Sequence, residues 1–79
     1  MIEAITWLDI ASGDTGWQDN CNLAPQEVES VGHMELETDT YVVLVQSIYT
    51  DDPPSYYDNI MSIPKGCIVS RKVLKDAPD

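Results

Sequence analysis

The stretch Asp51-Asp52-Pro53-Pro54-Ser55 limits most severely what this chain can fold into. Consecutive prolines lack backbone donors and cannot continue a strand ladder, so the segment is a turn. Before it, residues 40–49 (TYVVLVQSIY) are apolar at nearly every position, the pattern of a strand covered on both faces. After it, Tyr56 to Ile63 reads as a further strand. The rest of the chain follows the same grammar. Ile2 to Leu8 alternates and is rich in β-formers, predicting a first strand. From Val28 to Glu37, Val28, Met34 and Leu36 share one phase, and Glu27, Glu29, Glu35 and Glu37 share the other. Val31 breaks that phase beside Gly32, and a glycine inside a strand marks a bulge or sharp bend. Thr38-Asp39 forms a tight turn. Pro64-Lys65-Gly66 forms a one-turn connector, and Cys67 to Leu74 a short closing strand.

Between the first two strands lies DIASGDTGWQDNCNLAP, residues 9–25, whose Asp, Ser, Gly and Asn content means loop. It exceeds the usual connection length, so it is expected to be functional or packed down by its own side chains. Trp17 and Leu23 are the expected pegs holding it against the body of the domain, with a single helical turn after Pro25 through Gln26-Glu27-Val28. The predicted order is strand, long loop, bent strand, tight turn, strand, proline turn, strand, one-turn connector, strand. This is the order of an all-β, five-stranded antiparallel SH3-like barrel. It forms one domain over residues 1–75, with 76–79 as a fraying tail. An open α+β antiparallel sheet with one short helix is the main competitor, and an OB-type barrel the third.

Charge is lopsided. The 79-residue chain has a formal net charge of −10, with twelve Asp and Glu and no Lys or Arg in residues 1–64. Every cation (Lys65, Arg71, Lys72, Lys75) falls in the closing segment. Such a surface repels nucleic-acid phosphates and anionic lipid, so no direct nucleic-acid partner and no membrane is expected. In the closing strand, Ile68, Val69, Val73 and Leu74 are expected to face or border the core. Arg71, Lys72 and Lys75 are expected to point outward, guarding a sheet edge and attracting acids of the first strand and long loop. Residues 1–3 lead straight into the alternating pattern, without a basic or strongly apolar leader, and no apolar run suits a membrane span. The expectation is a cytosolic chain with reduced thiols.

The residues Trp7, Asp9, Ser12, Gly16 and Trp17, followed by ESVGHMELETDTYVVLVQS and then IPKGCI, resemble a group of small proteins encoded by tailed bacteriophages and prophages. The resemblance runs from about Trp7 to Leu74 and departs at His33-Met34, where the group has Gly-aromatic or Gly-Leu. It implies a phage origin and expression in the cytoplasm of an infected bacterium. It carries no activity and no functional residues.

Little in the chain points to chemistry. Cys21, His33 and Cys67 are the soft ligands, none at a paired metal-binding spacing, so no metal or other cofactor is expected. No nucleophile elbow accompanies His33, and the carboxylate pairs Asp51-Asp52 and Glu35-Glu37 have no acid–base specificity in so acidic a chain. No enzyme activity and no catalytic residue is expected. Binding is better supported. Asp9, Ser12, Asp14, Trp17 and Asp19 place carboxylates around an aromatic platform, and Asp51, Asp52, Tyr56 and Tyr57 are expected on the far side of the same groove. An aromatic and acidic groove suits a basic peptide or a basic protein patch. Against this, Asp9 and Ser12 also suit turns closed by bonds to nearby amides. The expected function is that of a non-enzymatic phage accessory protein. It binds and modulates a bacterial host protein, in defence or transcription machinery, through its acidic surface. The alternatives are a homo-oligomer binding a nucleotide-like signal between subunits and a minor virion component.

Overall fold

The computed structural model describes residues 1–11 and 16–76. Five strands form one antiparallel sheet: β1 (Ile2–Asp9), β2 (Gln26–Glu37), β3 (Tyr41–Ile48), β4 (Tyr57–Pro64) and β5 (Ile68–Lys75). The sheet order is β4-β3-β2-β1-β5. Its only helical element among the described residues is a 3₁₀ turn, η1, at Lys65–Cys67. The all-β class, the five antiparallel strands and the one-turn connector are as the sequence predicts. β1 to β4 form a meander and β5 returns to β1, the connectivity of an SH3-like arrangement. The sheet is barrel-like but open, since β4 and β5 share no ladder.

β2 holds the architecture together by bending. Its first part pairs with β1, from Asp9↔Gln26 to Ile2↔His33, whereas its last part pairs with β3, from His33↔Val45 to Glu37↔Val42. The change of partner falls at Gly32 and His33. Gly32 is buried, and a Cβ built there would lie 2.8 Å from the Val45 carbonyl oxygen. The bend therefore rests on a missing side chain: only glycine lets β3 come this close to β2. From Gln26 to Gly32 β2 has no β3 neighbour; β5 flanks β1 as far as Trp7↔Ile68, so only Leu8 and Asp9 with Glu27 and Gln26 run beyond the rest of the sheet.

The expected helical turn at Gln26-Glu27-Val28 is absent. Those residues are already β2, paired with Asp9, Leu8 and Trp7, because the Val28 phase continues the strand and β1 supplies a ladder partner. The turn chemistry elsewhere is local. Thr38 Oγ1 accepts from the amides of Thr40 and Tyr41, closing the β2–β3 turn as a hydroxyl-capped loop. Asp51 does the same for the β3–β4 turn, its Oδ1 accepting from the Ser55 amide and its Oδ2 from the Ser55 hydroxyl; the Asp52–Pro53 peptide is cis.

The core is small. Ile5, Val42, Leu44 and Ile63 form it, with Trp7, Met34 and Ile68 packed at its border. Trp7 reaches across β2, its Nε1 donating to Ser30 Oγ at 2.9 Å, so its polar edge is satisfied where its ring is half-buried. Of the four closing-strand residues expected at the core, only Ile68 meets it. Val69, Val73 and Leu74 are exposed, because β5 has a neighbour on one side only and no second layer covers it.

Candidate functional site

The loop that the β1–β2 ribbon carries is exposed at Ile10 and from Gly16 to Pro25, with Ala11 half-buried. Trp17 has a relative exposure of 104% and Leu23 is also exposed. Neither is the peg that the sequence suggests. The loop leaves from Asp9 and Gln26, two residues beyond the last β1–β5 pair at Trp7↔Ile68, and these side chains stand in water there. Instead, Gly16, Trp17, Gln18, Asn20, Cys21, Asn22 and Leu23 surround a shallow hollow of their own, about 510 Å³. Gly16 has a φ of +100°, a backbone position that suits glycine before the tryptophan. Asp9 sits at the end of β1 and its Oδ1 accepts from the Ile10 amide at 2.8 Å, the turn-forming role anticipated for it. Asp19 is exposed near Trp17 in sequence. Ser12 and Asp14 lie outside the described residues.

Tyr56 and Tyr57 occupy a different place. Tyr56 packs edge-to-face on Tyr49, with ring centroids 5.1 Å apart, and the Tyr57 hydroxyl donates to the Pro54 carbonyl at 3.3 Å. Both tyrosines close the β3–β4 hairpin and line a hollow with Ser47, Ile48, Tyr49 and Asp58. No described residue of the β1–β2 loop lines it. Among the described residues the groove expected between loop and hairpin is therefore two separate hollows, one lined by Trp17 and the other by Tyr56 and Tyr57, and neither Asp9 nor Asp19 lines either. Asp51 is occupied in its turn, and Asp52 is exposed beside it.

The sequence reading missed an ionic cluster at the other end of β1. Glu3 is the one buried charged residue among the described positions, with 2% relative exposure. Arg71 does not point outward as expected; it folds onto Glu3, Nε to Oε1 at 2.9 Å and Nη2 to Oε2 at 3.0 Å. The same guanidinium reaches Glu37, with Nη1 3.1 Å from Oε2 and Nη2 3.0 Å from Oε1. Lys65 Nζ adds a third contact, 2.9 Å from Glu37 Oε2. One arginine thus ties β1, the end of β2 and β5 through two forked contacts, and η1 joins through lysine. The attraction between the closing cations and the first strand is realised here, in a structural role. The Arg71 and Lys65 hydrogen bonds hold the Glu37 carboxyl down at about 2, against an ordinary 4.5. Those from Glu3 and then Glu37 raise the Arg71 guanidinium further above its usual value.

A pH prediction follows from Glu37. Its folded-state pKa lies below its unfolded value, so its contribution to stability is complete above about pH 4.5 and is lost as pH falls towards 2. Glu37→Gln is expected to lower the melting temperature at neutral pH. The gap between the two proteins then closes as the buffer is taken through that acid window, as followed by circular dichroism. A gap independent of pH would show that the Glu37 charge is not what the cluster uses.

Among the described residues no group of three His, Cys, Asp or Glu side chains is placed to hold a metal. Cys21 is exposed, Cys67 half-buried, and both thiols are free. No helix of the described residues is long and apolar enough to cross a membrane. Comparisons with protein-family models, with curated proteins and with solved structures return no significant match.

Proposed function

We propose that this chain is a non-enzymatic interaction module that docks on a basic surface of another protein through the loop at the tip of its β1–β2 ribbon. The observation that carries this reading is the complete exposure of Trp17 on a stretch of chain that holds carboxylates and no Lys or Arg. A tryptophan side chain in water forgoes a large apolar burial, and tryptophans are the residues most enriched among interface anchors. The surrounding negative charge steers a basic partner and excludes an acidic one. An arginine of the partner stacked on the indole face satisfies both features at once. Asp9 and Asp19 supply rim carboxylates, which act on the rate of encounter more than on final affinity.

The resemblance to phage-encoded proteins supports the wider setting: an accessory protein acting in the cytoplasm of an infected bacterium on a host protein, in defence or transcription machinery. The test is affinity purification from bacterial lysate with wild-type protein and with Trp17→Ala, each at low and raised salt. A captured protein is expected to be basic at its contact face and to be lost with Trp17→Ala. Its affinity should fall roughly 30-fold on that substitution, as for an interface hot spot, and should weaken as salt rises. A partner retained equally by Trp17→Ala, or no partner at low salt, would remove the reading.

A further inference from the structure

We infer that two copies of this chain associate through the outer face of the β2–β3–β4 half-sheet, around Leu36, Val43, Tyr57 and Ile60. A folded monomer of 8.8 kDa exposes about 4,800 Å² by the usual scaling with mass, whereas this chain exposes 6289 Å². The excess is roughly 1,500 Å², about twice what one partner contributes to a standard interface. Its radius of gyration is 16.1 Å, against about 12 Å for a compact domain of this length. The exposed β1–β2 loop contributes to this excess, and so do exposed apolar strand residues, Leu36 and Ile60 among them.

β3 is paired on both edges, and the register sets Val45 opposite both His33 and Ile60, and Val43 opposite Leu36. Leu36 and Ile60, at 48% and 65% relative exposure, are left in water beside Tyr57. With Val43, Val45 and Glu35 they line a shallow groove of about 220 Å³. Glu35 is the only charge in that lining, in a chain with a net charge of −10. Two such acidic molecules meet little like charge on this face. β5 is the opposite case, since Lys72 and Lys75 guard its edge.

Only five apolar residues of the described chain are buried, a small core for a domain of this size. Further apolar burial adds to the stability of such a domain, and the one molecule sure to be present to supply it wherever the chain is made is another copy. A two-fold axis through the groove places the same patch on both sides and leaves both Trp17 loops free. The inference is separate from the docking role of Trp17, and salt distinguishes them. Association through an apolar patch between like-charged molecules strengthens as salt rises, whereas loop docking on a basic partner weakens.

The experiment is light scattering coupled to size exclusion, at low and raised salt, for wild type, Ile60→Glu and Trp17→Ala. Wild type and Trp17→Ala are expected at twice the chain mass of 8.8 kDa, more fully at raised salt. Ile60→Glu is expected at the single-chain mass with an unchanged β circular-dichroism spectrum, its dissociation constant raised roughly 30-fold or more. If that variant fails to fold, the wild-type melting temperature decides, since a dimer melts higher as concentration is raised. Wild type at the single-chain mass throughout, an Ile60→Glu dimer as tight as wild type, a larger assembly, or a melting temperature independent of concentration would each overturn the inference.

Discussion

Gly32→Val is expected to leave the chain largely unfolded, and Gly32→Ala to lower the unfolding free energy by about 2–3 kcal/mol, at the upper end of what overpacking costs. The cause is geometric. The added Cβ would meet the Val45 carbonyl oxygen at 2.8 Å, with the Leu44 Cβ at 3.4 Å behind it. The first obstacle is backbone in a paired strand, not a side chain that can swing aside. Relief requires β3 to move away from β2 where His33↔Val45 and Met34↔Leu44 begin their ladder. Since Leu44 belongs to the core, that movement also opens the core. A domain of this size has only about 5 kcal/mol in hand, so the branched side chain of valine exhausts it. Gly66→Ala is the control: nothing lies within 4 Å of a Cβ there, and its effect is expected to stay within about 0.5 kcal/mol. Urea unfolding of the three variants checks the order.

Arg71→Ala is expected to be nearly as damaging, at about 3 kcal/mol, because it strands a buried carboxylate. Glu3 has only 3% of its side chain exposed and takes two hydrogen bonds from the guanidinium. Removing the arginine leaves that charge without a partner and with little water. Arg71→Lys recovers only part of the loss, since an ammonium cannot make forked contacts with Glu3 and Glu37 together. The decisive comparison is the double variant Glu3→Met with Arg71→Met. Replacing both partners by apolar side chains removes the desolvation cost along with the attraction, so the pair is expected to unfold less readily than Arg71→Ala alone. A double variant as unstable as the sum of its single changes would mean that the two residues act separately.

These two sites show what could be read from the sequence and what could not. The break in β2 at Gly32 was legible because a strand's alternation is local: Val31 falls out of phase with Val28 and Met34 beside the glycine, though the register shift itself falls further on, between Met34 and Leu36. The proline turn, the 3₁₀ connector and the five strands follow from the same kind of evidence, and their ends fall within about two residues of the pattern. The Glu3–Arg71 pair was not legible, because its partners are 68 positions apart. Only the β1–β5 register, which sets Ile5 opposite Arg71, brings them together. Arg71 is still exposed, as composition suggests, but tertiary pairing turns its guanidinium onto Glu3 and Glu37. Val69, Val73 and Leu74 went the other way: their apolar character suggests burial, but an edge strand with no covering layer leaves them in water. Trp17 failed as a peg for a related reason. A long loop packs down only when the sheet beneath it is wide enough, and here β3 has left β2 at Gly32 and β5 leaves β1 after Trp7, before the loop begins.

The most direct test of Trp17 as the docking element is fluorescence quenching of the Trp7→Phe protein, in which Trp17 is the sole indole. The substitution keeps an aromatic ring at the core border and gives up the bond to Ser30. The expected emission is that of a fully hydrated indole, quenched more strongly by caesium than by iodide relative to free tryptophan, with the difference shrinking as salt rises. A blue-shifted emission shielded from both ions would place Trp17 in a packed environment and contradict the docking reading at its starting point.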